Sequence, residues 1–120
     1  MLRNNFFPCL TAICVVLTLV FLPTHTAFAN EEAENHNEQG DAYYEAKKYE
    51  DAMKEYTTAL EIEEKTDKDK EKISMYQCNI GWVHFNLKKY DKAEEIFNAA
   101  LANDSDNPNA YRGLATVYRE

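Results

Sequence analysis

Beyond residue 29, the side chains whose types could carry chemistry are His36, His84, Cys78 and a series of carboxylates. Their arrangement argues against catalysis. No Ser/His/Asp ordering, glycine-rich phosphate loop or paired histidine ligand accompanies them. Carboxylates one helical turn apart, Glu34/Glu38 and Asp41/Glu45, read as a solvated face. The run EEKTDKDKEK over residues 63–72 has the acids of a calcium loop, but lysines interrupt it and no glycine stands at a bend. It reads as a solvated connector. A single cysteine in this stretch can form neither an internal disulfide nor a zinc cluster, and burial is its expected fate. The chain is therefore expected to have no catalytic residues, no metal and no cofactor.

What remains is binding chemistry. Over residues 73–87, Tyr76, Ile80, Val83 and Leu87 follow a 4, 3, 4 spacing that suits the core-facing side of a helix. Met75, Cys78, Trp82 and Phe85, spaced 3, 4, 3, form a second apolar stripe on the other side. A helix that is apolar nearly all round is either enclosed by neighbours or presents one side to a ligand. In the second case Trp82 and Phe85 would be the anchors, tryptophan being among the residue types most favoured at binding hot spots.

The elements that must position these residues are helices. Residues 31–46, 49–65, 73–87, 90–103 and 108–119 each carry apolar positions at helical spacing, with Gln39, Gly40, Tyr43 and Ala46 as the inner face of the first. Glu31, Glu32 and Glu34 suit an opening helical turn. Pro108 suits the first position of the fifth helix. Turns fall at Lys47-Lys48, near residues 66–68, and over 103–107.

The chain also repeats itself. Gly40-Asp41-Ala42-Tyr43-Tyr44 lies over Gly81-Trp82-Val83-His84-Phe85, and Lys47-Lys48-Tyr49 over Lys88-Lys89-Tyr90, at a constant offset of 41 residues. A shorter third copy, with Tyr111, Leu114, Ala115 and Tyr118 over Gln77, Ile80, Gly81 and His84, follows 34 residues later. Such periods mark stacked helical hairpins, each unable to bury its apolar face alone. The expected fold class is all-α.

The first 29 residues stand apart. Arg3, the 13-residue apolar run over 10–22, Pro23 and the small residues of Ala27-Phe28-Ala29 together read as a secretory signal peptide cleaved after Ala29. The run is shorter than the ~20 residues a membrane-spanning helix needs. Removing Arg3 takes the formal charge from −8 to −9, so residues 30–120 would repel nucleic acid and anionic membrane surfaces. The expected location is periplasmic or secreted.

At Gly40, Tyr43, Tyr49, Ala52, Tyr56 and Ala59, and again at Ile80, Gly81, Tyr90, Ala93, Phe97 and Ala100, the chain resembles the tetratricopeptide repeat family. The resemblance implies a short right-handed solenoid over residues 30–120. Residues 33–66 and 74–107 would be two repeats separated by a charged insert at 67–73, and 108–120 a partial third repeat acting as a cap. The departures are His36 and Gln77 where the family has tryptophan, His84 for tyrosine, and Lys47 and Lys88 where glycine is frequent. His36 and His84 thus fall in slots of buried aromatics, which implies packing roles.

The resemblance further implies that a partner segment binds in the groove lined by the first helix of each repeat. Here that groove comprises Asn37, Asp41, Tyr44, Met75, Asn79, Trp82, Phe85, Asn86 and Arg112, with Glu45, Cys78, Thr116 and Arg119 beside them. Of the pattern by which some members clamp a C-terminal carboxylate, Asn79 alone matches, Asp41 and Gly113 departing from it. Asp41 and Glu45 favour a protein or peptide carrying basic and apolar side chains. The expected role is an exported adaptor or assembly factor. The alternative is a self-associating protein that forms a homodimer through the apolar stripe of the third helix.

Overall fold

The computed structural model describes residues 24–120, and they form five helices: α1 (Thr24–Glu45), α2 (Tyr49–Lys65), α3 (Lys70–Asn86), α4 (Tyr90–Asn103) and α5 (Pro108–Val117). They stack as an all-α solenoid of two helical hairpins and a closing helix, as the repeat implies. The leader expected over residues 1–29 lies outside the described residues up to position 23. Its last six residues open α1, so the first helix starts seven residues before the expected Glu31. Nothing between Thr24 and Glu31 interrupts a helix, and the acids at 31, 32 and 34 lie two turns inside it. Its buried face also differs from expectation. Gly40 is buried and Tyr43 half-buried as expected, but Ala33 is buried too, whereas Gln39 and Ala46 are exposed.

Helices α2 and α4 begin and end where the periodicity places them. The third starts three residues earlier, at Lys70, because the Asp69 carboxylate accepts the backbone N–H groups of Glu71 (3.0 Å) and Lys72 (3.3 Å) and caps the helix there. Asn107 caps α5 in the same way, through the Asn109 N–H at 2.9 Å.

The turns between helices explain the lysines found in place of glycine. Lys47 (φ 59°) and Lys88 (φ 60°) both sit in the left-handed region. In each turn a 2.9 Å bond runs from the following lysine's N–H back to a carbonyl five residues earlier, Lys48 to Tyr43 and Lys89 to His84. This is the Schellman closure, in which the left-handed residue is usually glycine. A left-handed L-residue costs about 1–2 kcal/mol, partly offset by the extra freedom glycine loses on folding. Lys47→Gly and Lys88→Gly should therefore each stabilise the fold by about 0.5–1 kcal/mol. A urea midpoint that falls, at unchanged slope, would contradict this.

The core runs through α3. Tyr76 packs with Ala33 and Ala59, Ile80 and Val83 with Ala52 and Tyr56, and Cys78 with Phe97 and Leu114. α3 is thus enclosed from both sides. The charged connector is exposed from Glu64 to Glu71, as expected, but Glu63 is fully buried. It follows Ala52, Tyr56 and Ala59 at 4, 3, 4 spacing, so its position on the inner face of α2 outweighs its charge. Its Oε1 accepts the Asp69 N–H at 3.1 Å and so holds the α2–α3 turn. Glu63 Oε2 and the Tyr76 hydroxyl are buried without a partner among the described residues.

Candidate peptide-binding groove

α1 and α3 lie side by side, and polar side chains 42 residues apart join them. Lys72 Nζ donates to Asn30 Oδ1 (2.8 Å), Asn79 Nδ2 to Asn37 Oδ1 (2.8 Å) and Asn86 Nδ2 to the Tyr44 hydroxyl (2.7 Å). The rungs recur every seven residues, close to two helical turns, so they remain on the facing sides of both helices. They satisfy one polar atom on each partner and fix the side chains of the groove wall.

Beside these rungs Asp41, Tyr44, Tyr56, Asn79, Trp82 and Arg112 line a cleft of about 330 Å³. The Tyr56 hydroxyl donates to Asp41 Oδ1 at 2.6 Å. Burial, and then the neighbouring Asp41 carboxylate, raise the Tyr56 pKa above the ordinary phenol range, so it remains a donor. Burial likewise raises Tyr44. The Arg112 guanidinium stands 5.3 Å from the centroid of the Trp82 ring, within cation–π range.

Five of the nine expected groove residues, Asp41, Tyr44, Asn79, Trp82 and Arg112, therefore meet in one cleft. Asn37 and Asn86 lie beside it as rung partners of Asn79 and Tyr44. Met75 and Phe85 do not line it. Met75 is exposed, and Phe85 packs on Trp82 (5.7 Å) and Tyr90 (5.3 Å). Cys78 is buried, not groove-lining, and burial pushes its thiol up to about 11. It is a packing residue. Tyr56 is the member that sequence reasoning placed only in the core. Its ring lies so close to Gly40 that a Cβ there would come within 2.6 Å of it. The missed signal was the hydroxyl, since a buried tyrosine needs a partner at its polar end.

A larger depression of about 560 Å³ lies at the α3–α4 turn, lined by His84, Lys88, Lys89, Tyr90, Asp91 and Lys92. Its lysines are exposed, and Lys92 pairs with Glu95 at 3.1 Å. Burial, then Lys89 and Lys92, lower the His84 pKa. The α1–α3 cleft is the better candidate, because four helices contribute to it and hydrogen bonds already fix Asp41, Tyr44, Tyr56 and Asn79. Among the described residues no group of three His, Cys, Asp or Glu is placed to hold a metal ion.

Residues 31–106 match the tetratricopeptide repeat family. The chain belongs to that family. It is similar to the Hsp70-Hsp90 organising protein of Plasmodium falciparum (isolate 3D7), 33% identical over 87 residues. Those residues cover 72% of this chain and only 14% of that protein. Among solved structures it resembles the Arabidopsis OM64 TPR domain, with a TM-score of 0.66 and 25% identity over 76% of this chain and 69% of that one. Tetratricopeptide repeats are protein-interaction modules, and protein binding is the general activity that follows. In this member Gly113 offers no side chain to the groove and lies against Phe97, while Asp41 is tied to Tyr56.

Proposed function

We propose that this tetratricopeptide repeat protein is an exported module that holds a segment of a partner protein in the α1–α3–α5 groove and acts as an adaptor or assembly factor. One observation carries the reading: Asp41, Tyr44, Asn79, Trp82 and Arg112 converge from three helices on one cleft. A half-buried tryptophan beside a carboxylate suits a segment with a basic side chain next to an apolar one. The adaptor role agrees with the similarity to a protein named as an organiser of Hsp70 and Hsp90, of which the chain spans a small part. Export rests on the composition of residues 1–29 alone. The self-associating alternative has less support, because α4 and α5 cover Cys78, Trp82 and Phe85.

A peptide array probed with residues 30–120 tests the binding half. Spots combining Lys or Arg with Leu or Phe should be enriched, and Asp41→Lys should remove the enrichment. Enrichment of acidic spots, or none, would reject the reading. The intact mass of the exported product tests the other half: it should begin at or near Asn30, and a retained leader would reject export in cleaved form.

A further inference from the structure

The cleft has the chemistry of a cation site. Tyr44, Tyr56 and Trp82 surround it, and Asp41 supplies a carboxylate with one oxygen bonded to Tyr56. Aromatic faces attract cations through their quadrupole, tryptophan most strongly, and a nearby carboxylate adds to the attraction. The cation that now stands on Trp82 belongs to the chain itself. Among the described residues the Arg112 guanidinium makes no ion pair, and its distance of 5.3 Å to the Trp82 centroid is its one specific contact. The backbone of α5 is fixed from below by buried Ala110, Leu114 and Val117. The Arg112 side chain, in contrast, is exposed and free to leave the ring.

Two guanidinium groups cannot share one ring face at contact distance without like-charge repulsion. We infer that Arg112 is an internal competitor: it occupies the Trp82 face in the free protein, and an arginine or lysine of the partner segment displaces it on binding. This inference rests on the groove reading and specifies how the site selects. Arg112 lowers the affinity for every basic segment by a similar factor, so only segments with further apolar contacts bind. An exposed cation–π contact corresponds to about a two- to five-fold change in affinity.

The test uses the whole protein and two fluorescently labelled, acetylated and amidated peptides, one alternating leucine with arginine and the other leucine with glutamate. Anisotropy gives the affinities. Emission from Trp82, the chain's single tryptophan, gives the location. Arg112→Ala and Arg112→Gln should each bind the arginine peptide about two- to five-fold more tightly than the unaltered protein. Lys70→Ala, which removes one positive charge at the exposed start of α3, outside the cleft, should change nothing; an equal gain there would reduce the effect to general charge and overturn the inference. Trp82 emission should shift on removal of Arg112 and shift back when the peptide binds.

Equal or weaker binding of the arginine peptide by both Arg112 variants would overturn the inference and leave the groove reading standing. So would binding of the glutamate peptide that is lost with Arg112, which would make Arg112 a direct contact to an acid. Failure of both peptides to bind any of these proteins, with Trp82 emission unchanged, would overturn the groove reading together with the inference.

Discussion

Truncating Phe97 to alanine should destabilise the fold by about 3–5 kcal/mol, a large part of the ~5–15 kcal/mol that holds a typical domain together. Phe97 is fully buried, and its ring lies between two glycines on different helices. A Cβ added at Gly81 would lie 2.7 Å from a ring carbon, and one added at Gly113 would lie 2.4 Å away. Trp82 meets the ring edge-on at 5.3 Å, so the ring cannot retreat. Gly81→Leu and Gly113→Leu should therefore force α3 and α5 away from α4, at a cost of at least ~1–3 kcal/mol each. Lys70→Leu, at the exposed start of α3, should stay within ~0.5 kcal/mol of the unaltered chain. The decisive measurement is a double-mutant cycle in urea. Gly81→Ala should cost clearly less in a Phe97→Leu background, with a coupling of ~0.5–3 kcal/mol. Additive losses, or equal midpoints for Gly81→Leu and Lys70→Leu, would show that the ring is not the spacer between these helices.

The second large effect is expected from Trp82→Ala with Phe85→Ala. Had the stripe been open at the groove, this pair would abolish binding and leave the helical signal intact. The structure places both rings half inside the cluster of Phe97, Leu114 and Val117, with Phe85 also against Tyr90. Fully buried aromatics cost ~3–5 kcal/mol each when truncated, so two half-buried ones should together lose a similar amount. The double variant should thus melt many degrees lower and lose helical circular dichroism at its C-terminal end. Retention of the melting temperature would return both rings to the role of free anchors. Asp41 and Arg112, both exposed, are the positions at which binding can be tested without the fold.

Particular residues show what the sequence could disclose. The starts of α2 and α4 were legible because Lys-Lys-Tyr recurs, and the backbone explains the recurrence: one lysine takes the left-handed position and the tyrosine opens the next helix. The apolar stripes of α3 were legible as well, but periodicity states which residues share a face and not what covers it. Hence Cys78 and Phe85 were expected in the groove, although α4 and α5 enclose them. Glu63 was hidden within a charge run, because burial there follows from its phase on α2 and a backbone partner at Asp69. Tyr56 at the cleft was hidden for a geometric reason. Only the absence of a side chain at Gly40 lets its hydroxyl reach Asp41. The start of α1 had no marker, since Ala27-Phe28-Ala29 serves a cleavage site and a helix equally well.

The rungs between α1 and α3 have a mechanical consequence. Three cross-links at Asn30, Asn37 and Tyr44 tie the first hairpin to the second along most of its length, and sliding of one past the other would break all three together. The last helix is fastened differently, by Asn107 to Ser74 at one end and by the exposed Tyr118 to Glu94 at the other, each at 2.8 Å. Between those ends Arg112 rests on Trp82 with no rung to α3 among the described residues. The array thus has one joint closed by a ladder of side-chain hydrogen bonds and one closed mainly by apolar packing. The first joint loosens when side-chain hydrogen bonds are competed away, the second when Ala110, Leu114 and Val117 lose their apolar cover and Gly113 its contact with Phe97.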